Sequence, residues 1–186
     1  SWAGAALLAA AVAVGLAAPL PAAADSALIS SKIKVGGASS GTKDALGSKK
    51  TITRGVNLEG ANFEGQNISG VSFQQSIIRN GRFKGANAFG ATFFDADLAG
   101  SDFTGATLTQ ANFELAQMTN TILDDAVATD MYVNGTTRIE PVSINGADFT
   151  DTVFRKDQIK FLCKIAKGKN SQTKVDTRES LACPDE

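Results

Sequence analysis

From Val56 to Phe154 the apolar residues recur at every fifth position. Their centres are Leu58, Phe63, Ile68, Phe73, Ile78, Phe83, Ala88, Phe93, Leu98, Phe103, Leu108, Phe113, Met118, Leu123, Ala128 and Val133. Two residues before a centre the side chain is usually small, as at Ala61, Ser76, Gly81, Ala86, Ala91 and Ala96; Gln66 and Met131 depart from this. Two residues after a centre glycine is frequent, as at Gly60, Gly65, Gly70, Gly85 and Gly100. The phase slips by one at Thr136 and resumes through Ile139, Ile144, Phe149 and Phe154, which makes twenty repeats. A period of five fits neither the strand period of two nor the helix period of 3.6. A fixed short repeat is the mark of a solenoid.

The units Ala61-Asn62-Phe63-Glu64-Gly65, Ala96-Asp97-Leu98-Ala99-Gly100 and Ala106-Thr107-Leu108-Thr109-Gln110 follow the pattern A-(D/N)-(L/F)-x-x. In this the chain resembles the pentapeptide-repeat family over roughly half its length. The resemblance implies an all-β fold, a right-handed quadrilateral β-helix with four repeats to a coil and one to a side. Twenty repeats then make about five coils, a column about 24 Å long at the usual strand spacing. With twenty residues per coil, Phe63, Phe83, Phe103 and Leu123 fall in one column. Phe73, Phe93, Phe113 and Val133 fall in the opposite one. Leu58, Ile78, Leu98 and Met118 line a third wall, and Ile68, Ala88, Leu108 and Ala128 the fourth. The six phenylalanines form the expected core ladder. The small residue two before each centre shares the inward face, where only a small group fits beside the large one at native packing density. The recurrent glycines are corner residues.

Charge divides the chain. Residues 1–54 hold six basic and two acidic side chains; residues 55–155 hold five basic and twelve acidic; residues 156–186 hold seven basic and five acidic. The repeat region is therefore acidic, and both flanks are basic. Histidine is absent, which removes the commonest general base and metal ligand. Asp97 and Asp102 occupy equivalent places on consecutive sides, and Asp95, Asp124, Asp125 and Asp130 add to the acidic surface. They read as a solvated face rather than as an acid–base pair. No catalytic, metal-ligating or cofactor-binding residues are expected.

Trp2 to Leu20 is an uncharged, largely apolar run, and Ala22 and Ala24 fit a signal-peptidase pattern. The run resembles the thylakoid-transfer half of a bipartite chloroplast presequence. Cleavage between Ala24 and Asp25 is the expectation, with a retained hydrophobic helix anchoring the chain in the membrane as the alternative. Residues 25–54 read as a basic flexible tether, with Gly36-Gly37-Ala38-Ser39-Ser40-Gly41 and five lysines. Residues 55–155 form the β-helix.

Residues 156–186 read as a helical cap. Ile159, Leu162, Cys163 and Ala166 have helical spacing, with Asp157 as N-cap and Gly168 as the stop. Asp176 and Glu179 resemble a capping box opening a second short turn. Open solenoid ends expose unpaired strand groups, and such a lid would cover the last coil. Cys163 and Cys183 are the only cysteines. They are expected to form one disulfide, with two buried free thiols as the alternative, and an exported chain makes the bond chemically reasonable. The tail from Leu162 to Cys183 is similar to the ending of plant and cyanobacterial lumenal pentapeptide-repeat proteins, which implies a place in the thylakoid lumen.

Three function classes follow. One is a non-enzymatic scaffold docking on a membrane-bound photosynthetic complex or assembly factor, needing no cofactor and no nucleic acid. Another is a DNA mimic binding a topoisomerase, which the acidic repeats permit and an export signal opposes. The third is an enzyme, for which the sequence offers no site.

Overall fold

A computed structural model describes residues 54–184. The hydrophobic segment 1–24, the Ala24/Asp25 cleavage position and all of the tether but Arg54 lie outside the described residues.

Each pentad folds locally into a short extended stretch and a β-turn. Ala61 N–H donates to Leu58 O at 3.0 Å, and the bond recurs from Gly81 to Ile78 (3.1 Å) and from Ala106 to Phe103 (2.9 Å). The third residue of the turn has positive φ in the regular repeats, +67° at Gly60 and +72° at Gly100. A type II turn demands this conformation, which glycine adopts without steric cost. Where glycine is missing, Asn80, Asp95, Asn120, Asp125 and Asp130 take φ between +54° and +58°. Asn and Asp tolerate the left-handed region best among the other residues. Leu115 occupies such a corner at +62° with no such excuse.

A second local device explains the Asn or Asp before each centre. The side-chain oxygen accepts from the backbone N–H two residues on, as in Asn62 from Glu64 N (2.9 Å), Asp102 from Thr104 N (2.9 Å) and Asn112 from Glu114 N (2.8 Å). This Asx geometry holds the entry to the corner. Asp97 and Asp102 stand outward and partly exposed, and they also hold turns: part of their acceptor capacity is spent on the backbone.

Four corners bring the chain back parallel to itself. Bridges join residues twenty apart on every wall: Asn57 with Ile77, Asn62 with Arg82, Asn67 with Asn87, and Ser72 with Thr92. These residues name the four walls below. The register holds to the Asn112–Tyr132 bridge. The next pairing, strand β1 (Gln117–Thr119) parallel to β2 (Arg138–Glu140), sets Met118 against Ile139, one residue further on. The slip is absorbed between them. Asn134 Oδ1 accepts from Thr136 N and Thr137 N, and Thr137 Oγ1 reaches back to Phe113 O at 2.9 Å. Val133, the centre nearest the slip, is only half-buried.

The interior is the expected ladder, with all six phenylalanines fully buried. Phe63, Phe83 and Phe103 stack at 4.8 and 4.5 Å, and Phe73, Phe93 and Phe113 at 5.2 and 4.9 Å. The two stacks come from opposite walls and meet edge to face, Phe83 against Phe93 at 5.7 Å and 90°. The strand repeat sets the separation within a stack, and the edge-to-face contact between stacks suits the ring quadrupoles. Ala86, Ala91, Ala96, Ala106, Ala111 and Ala116 are buried beside them.

The cap comprises α1 (Lys156–Ile165) and α2 (Thr177–Ser180). Leu162 and Ala166 are buried against the last coil, while Ile159 and Cys163 are half-buried. Asp157 is not the N-cap: Arg155 is, and Asp157 lies in the first turn. The expected capping role passes to Gln158, whose Oε1 accepts from Arg155 N at 2.8 Å. Helix α1 ends with extended Ala166, two residues before Gly168, whose φ is +81°. Asp176 caps α2, accepting from Arg178 N and Glu179 N. Cys163 and Cys183 are joined in a disulfide, with Cα atoms 5.7 Å apart.

Candidate docking walls

The cap supplies the partners that a further coil would have offered. Gly146 N–H donates to Lys167 O at 2.8 Å, in the place of a next-coil carbonyl, and Phe149 N–H donates to Ser180 Oγ at 3.1 Å. Buried Asn170 donates through Nδ2 to Gly146 O (2.9 Å) and Ala126 O (3.2 Å) and accepts from Gln172 N and Thr173 N. Arg155 clips the slip, with Nη1 donating to Gly135 O at 2.5 Å and Nε to Asp157 Oδ1 at 2.8 Å. Hydrogen bonding to Arg155 holds the Asp157 carboxyl below the usual carboxylate range. Beside this clip lies an open cleft of about 320 Å³ lined by Arg138, Glu140, Asp157 and Phe161. Its charges are paired within it, as in Arg138 Nε to Glu140 Oε2 at 3.2 Å. The cap thus covers this end of the column.

The register assigns every outward charge to a wall. Arg79 and Arg138 stand on the Asn57 wall, Arg82 and Lys84 on the Asn62 wall. Both walls pair their charges, Arg79 Nε with Asp97 Oδ2 at 2.6 Å and Arg82 Nε with Glu64 Oε1 at 3.3 Å. The Asn67 and Ser72 walls carry no cation between Arg54 and Arg155. Between those two arginines their charges are Glu114, buried Asp148, Asp130 and Asp151 on the corner they share, and Asp95 on the corner between the Ser72 and Asn57 walls. The expected acidic surface is therefore uneven. Asp95, Asp125 and Asp130 sit at corners, and Asp124 is tied to Ser143 Oγ and Asn145 N.

Apolar side chains are exposed around the tube, Ile77 at 40% on the Asn57 wall and Val142 at 59% where the Asn62 wall begins, as well as on the two walls without cations. Phe89 stands on the Asn67 wall at 47% exposure, and Tyr132 on the Ser72 wall at 55%. Val153, one coil below Tyr132 in the slipped register, is 80% exposed. The sequence reading missed these residues, because they fall at outward positions of a pattern read for its inward ones. Among the described residues no group of His, Cys, Asp and Glu could hold a metal, and no helix is long and apolar enough to cross a membrane.

Comparison with known proteins matches this geometry. A family model for pentapeptide repeats fits eight copies across residues 57–94 and 86–125. The solved structure of a pentapeptide-repeat protein from the Arabidopsis thaliana thylakoid lumen is 43% identical, covering 72% of this chain and 92% of that one, with a TM-score of 0.69. The thylakoid lumenal 15 kDa protein 1 of Arabidopsis thaliana is 45% identical over 69 residues, 37% of this chain. The chloroplastic thylakoid lumenal protein TL20.3 of the same plant is 55% identical over 40 residues, 22% of this chain. The matched stretches span 31% and 14% of those two relatives.

Proposed function

Because this chain belongs to the pentapeptide-repeat family, we propose that it is a non-enzymatic docking protein of the thylakoid lumen, held against a membrane-bound photosynthetic complex or one of its assembly factors. The observation that carries this reading is the likeness to the Arabidopsis lumen protein, which extends over nearly the whole of that chain. The Cys163–Cys183 disulfide suits an oxidising, exported location. The rigid walls suit the work, since a solenoid presents extended surfaces with little conformational cost on binding. The same disulfide counts against a topoisomerase-binding DNA mimic, whose target lies in a reducing compartment.

The test is affinity purification of the full chain from detergent-solubilised thylakoids, with and without crosslinking. Subunits of a photosystem or an assembly factor are expected to copurify. Recovery of the protein alone, even after crosslinking, would overturn the proposal.

A further inference from the structure

We infer that the Ser72 wall, with the corner it shares with the Asn67 wall, is the docking surface, and that its partner is a cationic amphipathic polypeptide segment. This rests on the docking role proposed above and names the face and the partner's chemistry. The exposed apolar groups of this wall each have an acid close by in sequence and register. Tyr132 lies two residues after the corner residue Asp130, and Val153 two residues after the corner residue Asp151.

Two facts choose the partner. The first is apolar exposure: Tyr132 and Val153 are 55% and 80% exposed on consecutive coils of a rigid wall, as anchors for apolar side chains would be. The second is charge sign. The walls that bear Arg79, Arg82, Lys84 and Arg138 satisfy acids internally, and this wall has no cation between Arg54 and Arg155. Electrostatic complementarity therefore selects lysine or arginine and repels an acidic partner or an anionic lipid surface. Lysines alternating with apolar residues along one segment satisfy both demands at once.

The test uses the full chain and a fluorescent synthetic peptide of lysine and leucine patterned as an amphipathic helix, with a glutamate–leucine peptide as control. Binding is read by anisotropy at low and high salt. The lysine peptide is expected to bind and to weaken with salt, and the glutamate peptide to fail. Tyr132→Ala with Val153→Ala should weaken binding about tenfold or more. Asp130→Asn with Glu114→Gln should weaken it and flatten the salt dependence. Glu59→Gln with Glu64→Gln, on the other walls, should change nothing. Each variant is first shown to keep the wild-type circular dichroism and melt. Equal loss from variants on any wall, or equal binding of the glutamate peptide, would overturn the inference. So would binding that appears only once Lys32, Lys34, Lys43, Lys49 and Lys50 are replaced, since the occupant would then be the chain itself. Peptide binding at this wall without capture of a thylakoid complex would defeat the proposed function alone. Capture of a complex that the Tyr132 and Val153 changes leave intact would defeat this inference alone.

Discussion

Phe83 and Phe103, twenty positions apart in the chain, stack with ring centres 4.5 Å apart and planes within 6° of parallel. Each ring also meets the edge of Phe93 from the opposite wall, at 5.7 and 6.0 Å. A ring in this arrangement is supported from above, below and across. Its loss leaves a void that the backbone ladders on four sides prevent from closing.

Phe93→Ala should therefore cost about 3–5 kcal/mol, transfer and cavity included. Glu114→Ala, outward on the same wall, should stay within about 0.5 kcal/mol. Urea denaturation of the two variants beside wild type checks this. Equal losses would show that the ladder does not carry the fold.

Two corner glycines should differ when changed to alanine. Gly65 has φ +63° and open space where a Cβ would stand, so Gly65→Ala meets only the left-handed penalty, about 1–2 kcal/mol. Gly100 has φ +72°, and its Cβ would lie 2.5 Å from Asn80 Oδ1, so Gly100→Ala should cost more. A melt series including Gly100→Ala with Asn80→Ala separates the clash from the backbone term. If the double change recovers nothing, the clash is not the cause.

The disulfide closes a loop with a sequence separation of 20. Its loss should remove roughly 3 kcal/mol in the chain-entropy model. Thiol labelling of the native protein should find no reactive cysteine until a reductant is added. Cys163→Ser with Cys183→Ser should lower the melting temperature, starting with the cap.

Asp157 supplies a dependence on pH. Its carboxyl is held below the usual carboxylate range, first by hydrogen bonding to Arg155. A group whose folded value lies below its unfolded one stabilises the fold above the unfolded value and ceases to as pH falls through the folded one. Asp157→Asn should therefore narrow the difference in melting temperature between neutral and acid solution. An unchanged acid limb would show that the clip contributes nothing, as many exposed pairs do.

Much of the architecture was legible because pentapeptide geometry is local. Leu58, Gly60 and Ala61 specify one turn among themselves, and repetition turns that rule into a column. The Phe ladder, the corner glycines and the slip near Thr136 all followed from spacing. The capping of α1 did not. Arg155 precedes the helix because its guanidinium reaches Gly135 of the coil above, a contact between residues twenty apart that no helical wheel contains. That the outward Asp97 and Asp102 also hold the backbone turns was not legible, because an Asx bond is invisible in composition.

The sequence by itself determined the repeat, the identity of the buried rungs and the acidity of the middle of the chain. Only the tertiary structure decided on which wall each charge stands. Sign along a chain becomes sign around a tube only when the register is known, and one inserted residue near Thr136 moves every later side chain by one place. The concentration of Arg79, Arg82, Lys84 and Arg138 on two walls, and the exposure of Tyr132 and Val153 on another, are products of that winding.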